Sequence, residues 1–246
     1  MKSRLFASLI CLLFVCLSAS RSTSAALYSL QPNEASSKDT IVYQFLADTP
    51  LEGSFNTILG VSNASNGHSL LSLIQFDLSS LSGAGVTAGD VTSAKLRLRS
   101  APNSLGGGNP SASFPVTADV YATGASWVEA TATWNNAPAA SGGIVSSAVI
   151  NSTSQLVEFD VTSLVQSWLD GSVSNFGMRL QQAAEVINGS GQRVGATFVA
   201  ANGAAADRPL LEITTVPEPS SFALLGAAAL GMMGLRRRFA SKTPVL

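Results

Sequence analysis

Within VTSAKLRLRS, Lys95, Arg97 and Arg99 recur at every second residue. In an extended chain that spacing puts all three cations on one face. A row of guanidinium groups on a wet strand suits paired hydrogen bonds to carboxylates. Trp127 and Trp134 stand seven apart in SWVEATATWNNAP. Indole faces offer apolar area on which a sugar ring can stack. The odd spacing places them on opposite faces unless the stretch turns between them. Glu129, Asn135 and Asn136 read mainly as turn formers around those rings. Asp39, Asp77 and Asp160 supply hard oxygen atoms that could hold a calcium ion, although no contiguous ligand loop is visible. His68 is the only histidine and sits in the polar stretch SNASNGHS, where it reads as a solvated loop residue. A zinc site would find no second histidine, and a histidine-dependent triad would have to use this one. No two acids stand out as a pair for glycoside cleavage. The expectation is a chain without a catalytic centre.

Short strands must carry these groups. Ala94, Leu96 and Leu98 alternate with the cations, the pattern of a half-buried strand. TIVYQFL (40–46) alternates Ile41, Tyr43 and Phe45 in the same way. SLIQF (72–76), VTADVYA (116–122), LVEFDV (156–161), FGMRLQ (176–181), ATFVA (196–200) and PLLEITT (209–215) complete the set. Gly, Asn, Pro and Ser gather between them, notably at 101–113 and 186–193. One segment breaks the two-residue period. In VTSLVQSWLDG, Leu164, Val165, Trp168 and Leu169 recur at helical spacing, which predicts a helix over 163–170 with Thr162 at its start and Gly171 at its end. FDLSSL (76–81) and FDVTSL (159–164) echo one another, each aspartate placed to cap the turn that follows. The expected architecture is all-β: an antiparallel β-sandwich with one short helix.

The two ends differ from this body. Lys2 and Arg4, the apolar run Leu5–Leu17 and the small residues Ser24, Ala25 and Ala26 have the layout of a secretory leader over 1–26. Both cysteines, Cys11 and Cys16, fall inside it, so the exported body has no disulfide to lean on. At the other end Pro217, Glu218 and Pro219 precede an uncharged run, Phe222–Leu235, closed by Arg236, Arg237 and Arg238. As a helix, fourteen residues reach only about 21 Å, short of the ~30 Å of a bilayer core. The arginines set the orientation, body outside and terminus inside. In that order the three parts of residues 216–239 resemble a PEP-CTERM sorting signal. The resemblance implies a short transmembrane helix, transient contact with the inner membrane, and cutting by an exosortase-type processing enzyme.

Between the ends, residues 27–216 hold seven Lys/Arg against fourteen Asp/Glu, a formal −7, whereas the whole chain stands at −1. An acidic body lacks the positive footprint that nucleic acid demands. Asp39-Thr40, SLIQFDLSSL, VTSAKLRLR, SWVEATATWNNAP, VEFDVTSLVQSWLDG, NFGMRL and DRPLLEITT follow one another over about 39–215. In that order they resemble the DNRLRE-type domain, also grouped as carbohydrate-binding module family 96. The resemblance implies a jelly-roll sandwich on a secreted or surface protein, a non-catalytic module for an extracellular polysaccharide. Some members take acidic, alginate-like polymers. On that expectation Lys95, Arg97, Arg99, Trp127 and Trp134 touch the glycan. The alternatives are a structural matrix or biofilm protein with no small ligand, and a polysaccharide-degrading enzyme.

Overall fold

The computed structural model describes residues 25–32 and 38–216. Most of the expected leader (1–24) lies outside them, as does the tail from Pro217 onward with Glu218, Pro219, Arg236, Arg237 and Arg238. Among the described residues no helix is long and apolar enough to cross a membrane; the helix expected in the tail falls outside them.

In chain order the strands are β1 (Ala26–Leu30), β2 (Lys38–Tyr43), β3 (Ile58–Val61), β4 (Leu70–Gln75), β5 (Val91–Ala101), β6 (Val116–Thr123) and β7 (Ala140–Ile150). They continue with β8 (Leu156–Asp160), β9 (Met178–Gln182), β10 (Val186–Ile187), β11 (Arg193–Val194), β12 (Ala196–Val199) and β13 (Leu210–Thr215). One sheet runs β2-β4-β9-β6-β7. The other runs β1-β13-β5-β12-β3, with β8 on the free side of β5. β5 runs antiparallel to β8, β12 and β13, as do β3 to β12, β2 and β9 to β4, and β7 and β9 to β6. Ile74, Met178, Leu180, Val116 and Val120 from the first share one core with Leu96, Leu98, Phe159, Phe198 and Leu211 from the second. Two antiparallel sheets therefore enclose a single apolar layer, and Leu27–Thr215 forms one compact unit around it.

The alternation along β5 follows the sequence: Ala94, Leu96 and Leu98 are fully buried, while Lys95, Arg97 and Arg99 reach the outer face. TIVYQFL behaves differently. Its strand stops at Tyr43, and Gln44–Leu46 turns as a 3-10 helix that leaves Phe45 64% exposed. Five of the described strands, β1, β3, β7, β10 and β11, lie outside the segments expected from the sequence. β3 is only four residues long, and the inner half of β7, ASGGIVSSAVI, carries too few apolar residues to show a period.

The predicted helix forms at Thr162–Leu169 and sets Leu164, Val165 and Trp168 into the core. Two shorter helices, Glu52–Phe55 and Ser79–Gly83, join it; single turns leave no periodic trace, so the one expected helix becomes three among the described residues. We label the three α1, α2 and α3 in chain order. Gly171 follows α3 at φ 76°, a left-handed closure that Gly adopts without a Cβ clash.

The start of α3 differs from expectation in one atom. Asp160, not Thr162, caps it: Asp160 Oδ1 accepts from the Thr162 N–H at 3.0 Å and from the Thr162 hydroxyl at 2.6 Å. The Thr162 oxygen instead accepts the Ala94 N–H of β5 at 2.9 Å, tying helix to sheet. Asp77 repeats the device, accepting from the Ser79 N–H at 2.8 Å and the Ser79 hydroxyl at 2.9 Å. The FD echo is thus one capping motif used twice. Asp160→Ala is expected to cost about 1 kcal/mol, the usual value of a lost cap. Urea unfolding would show it as a lower midpoint at unchanged slope.

Candidate functional site

SWVEATATWNNAP forms a strap across the outer face of β2 and β4. After Trp127 the chain turns through a 3-10 helix at Glu129–Thr131, so the two indoles do not point to opposite sides. Trp127 is 6% exposed and packs on Val42, Leu71 and Leu73; Trp134 is half-buried against the same cluster. Trp127 Nε1 donates to the Phe176 carbonyl at 2.9 Å. The Asn residues close the strap on itself. Asn136 Oδ1 accepts the Thr133 N–H at 2.7 Å, Asn136 Nδ2 donates to the Thr131 carbonyl at 2.8 Å, and Asn135 Nδ2 donates to Asp48 Oδ1 at 2.8 Å. Every polar group named here serves the turn. Trp127 is thereby a core residue and Trp134 offers only part of its ring to solvent.

Under one end of the strap lies a group of carboxylates that the sequence reading did not assemble. Glu129 Oε1 accepts the Asp39 N–H at 3.3 Å. Asp39 is 2% exposed, and its Oδ2 accepts the Ala201 N–H at 2.8 Å. Glu52, on α1, reaches both electrostatically and hydrogen-bonds Glu129. Lys38 lies 4.4 Å over the Trp127 ring and donates to the Trp127 carbonyl. Burial lifts the Asp39 carboxyl to about 7, against the Ala201 hydrogen bond and with help from Glu129 and Glu52. Burial and then Glu52 lift Glu129 to about 7 as well. Burial draws the Lys38 ammonium down, partly offset by Glu129. Strands and helices far apart in sequence bring these acids together, which is why spacing could not reveal them.

The three aspartates expected to hold calcium go separate ways. Asp77 and Asp160 cap turns and Asp39 is buried beside Glu129. Among the described residues no group of three or more His, Cys, Asp or Glu is arranged to hold a metal ion.

The cation row on β5 meets carboxylates across the strands. Lys95 Nζ lies 3.1 Å from Glu158, and Arg97 lies 2.6 Å from Glu158 and 2.7 Å from Glu212. Arg99 Nε lies 3.2 Å from Asp207. The registers Arg97↔Glu158 and Arg97↔Leu210, next to Lys95↔Glu212, produce this pairing from both neighbours of β5. Arg97 and Lys95 hold the Glu158 carboxyl below its ordinary range. Three cations thus face three acids, and the stripe carries little free charge.

A concave site lies elsewhere. A cleft of about 300 Å³ opens where β2, the β3–β4 connection and the loops 101–113 and 186–193 converge. Gly108 N–H donates to the Arg193 carbonyl at 2.7 Å, fastening the two loops together, and Asn103 Nδ2 donates to the Gly108 carbonyl at 3.3 Å within the first of them. A side chain at Gly195 would press to 2.8 Å from the Val61 carbonyl, so only Gly permits this approach. His68 lines the cleft, half-buried rather than solvated: Phe45 stacks on it at 4.7 Å and 14°, and Tyr43 Oη hydrogen-bonds its Nδ1. Its polar loop gave no sign of this, since both ring partners come from the end of β2.

The sequence profile of carbohydrate-binding module family 96 matches residues 31–215, and that of the PEP-CTERM protein-sorting motif matches 215–238. No individual curated protein matches.

Two outcomes test the strap. Trp127→Ala should cost about 3–5 kcal/mol, as for a buried indole, seen in urea unfolding. The folded body also holds protons that the unfolded chain releases, because Asp39 and Glu129 titrate near 7 rather than near 4. Their contribution is complete below pH ~4 and lost as pH rises through ~7. The unfolding free energy should fall by a few kcal/mol between those limits, mostly from buried Asp39, the share of Glu129 being screened by solvent. Glu129→Gln, which keeps an acceptor for the Asp39 N–H, should flatten that slope.

Proposed function

Because the chain belongs to carbohydrate-binding module family 96, we propose that its body is a non-catalytic polysaccharide-binding module working outside the cell. The observation that carries this reading is the family match over nearly the whole two-sheet body. The sorting motif at 215–238 supports export and handling by an exosortase-type enzyme. On this reading residues 1–26 are removed as a leader. Pro217, Glu218 and Pro219 mark the later cut, and the apolar run with Arg236, Arg237 and Arg238 holds the chain briefly at the inner membrane. The jelly-roll path of the strands belongs to the same reading.

The acidic, alginate-like ligand has narrower support. It rests on Lys95, Arg97 and Arg99, which face outward on one strand but are engaged by Glu158, Glu212 and Asp207. A uronate must displace those carboxylates or share their donors. Asp207, the partner of Arg99, is the most exposed of those acids at 40%, so the Arg99 pair is the one most open to displacement.

A catalytic reading has one observation behind it. Two carboxyls lifted to about 7 next to a third resemble the environment of a general acid. Asp39, however, is 2% exposed and its N–H and one carboxylate oxygen are already bonded within the fold. The strap geometry favours a structural role for the cluster.

The purified protein should be retained in gels containing polysaccharide and should release no sugar from them. Sugar release that disappears in Glu129→Gln would make it an enzyme instead. In alginate gels at low salt, Arg99→Glu should weaken retention several-fold, and added salt should do the same. Equal retention of the variant would remove the acidic preference and leave carbohydrate binding standing.

A further inference from the structure

We propose that the cleft floored by loops 101–113 and 186–193 is a glycan-binding subsite for a short stretch of neutral sugar, with His68 in its lining and the exposed Phe45 ring, stacked on His68, as an aromatic ledge beside it. The inference rests on the carbohydrate-binding reading and places the ligand at a site other than the β5 stripe.

Four observations converge here. The first is the exposed ring. Phe45 is 64% exposed although the same chain buries Phe76, Phe159 and Phe198 completely. It does not dangle: it lies nearly parallel to the His68 ring at 4.7 Å, and the Tyr43 hydroxyl fixes that imidazole through Nδ1. A pre-ordered aromatic surface loses little rotamer entropy when a pyranose face settles on it. The second is the supply of uncommitted polar groups. Asn66 is exposed, and its amide has no hydrogen-bond partner among the described residues. Gln192 spends its Oε1 on Asn188 at 3.2 Å and keeps Nε2. The amide of Asn66 can donate to one hydroxyl and accept from its neighbour, and Gln192 Nε2 adds a donor.

The third is charge. Among the described residues Arg193 is the one cation lining the cleft, and its Nε sits 2.7 Å from Glu185 Oε1. Ser65 also donates to that carboxylate, from its N–H at 3.2 Å and its hydroxyl at 3.4 Å. The pair cancels to zero beside the cleft, so a carboxylate-bearing sugar gains no net attraction while a neutral one loses none. The fourth is size. About 300 Å³ lies at the small end of ligand clefts, which suits a short segment of glycan rather than a long one. The Glu185 link also ties the 186–193 hairpin to the loop that carries His68, so the two walls are braced before any ligand arrives.

The test is affinity electrophoresis of the full chain in gels containing neutral polymers (a β-glucan and a galactomannan) or alginate. Phe45→Ala, Asn66→Ala and their double variant are compared with the parent. Phe45 and Asn66 are exposed, and unchanged thermal unfolding would confirm that their variants fold. Retention by at least one neutral polymer should weaken about three- to tenfold in Phe45→Ala, the scale of one lost aromatic contact. Asn66→Ala should weaken it further in the double variant. Neutral-polymer retention indifferent to Phe45 and Asn66 overturns the cleft while the carbohydrate reading survives. Retention by alginate alone overturns the neutral class. No retention in any gel defeats the carbohydrate reading and takes the cleft with it.

Discussion

β4 is buried on both faces, and much of the molecule is arranged around that demand. Ile74 turns into the core shared by the two sheets, while Leu71 and Leu73 turn outward under Trp127. A strand in a two-layer protein normally leaves its outer face to water. Here the outer face is apolar, so something must cover it, and the SWVEATATWNNAP strap does. Even the one polar side chain on β4's inner face, Ser72, is satisfied: it donates to the Gly60 carbonyl and accepts the Gly60 N–H, both at 2.8 Å. Without disulfides among the described residues, this double layer of packing is the means by which the edge near β2 stays closed.

The strap explains the unusual electrostatics nearby. Covering β2 brings Glu129 down beside Asp39 and Glu52 in a space partly closed to solvent. Desolvation is the larger cause of both raised carboxyls, with like-charge repulsion second to it. The opposite holds on the outer face of β5. There, acids and cations pair across the surface, and Arg97 and Lys95 hold the Glu158 carboxyl below its ordinary range. One sheet edge therefore stores protons, and the other face stores ion pairs. Neither arrangement needs a ligand, which leaves the loop-built cleft as the concave surface with uncommitted donors.

The residues most legible in the sequence were those whose role is local. The alternation in VTSAKLRLRS, the helix in VTSLVQSWLDG and the capping aspartates of the FD echo all depend on neighbours within a few positions. Local pattern was ambiguous where a longer-range contact decided the outcome. TIVYQFL alternates to Phe45, yet the chain turns after Tyr43 because the aromatic cluster with His68 holds it there. By residue type the strap's tryptophans suited either core packing or a sugar platform; burial makes one core and the other half-core. The calcium trio failed to assemble because two of its members were already spent on turns.

From the sequence alone came the class of the body, its acidic balance, its cysteine-free interior, the faces of its clearest strands and the sorting signature at its end. These follow from period, composition and order, which act over short stretches of chain. Tertiary structure alone decided which charges meet, which aromatic rings are covered, and where a cleft opens. Those properties arise from strands and loops separated by tens of residues, and no spacing along one chain records the distance between them.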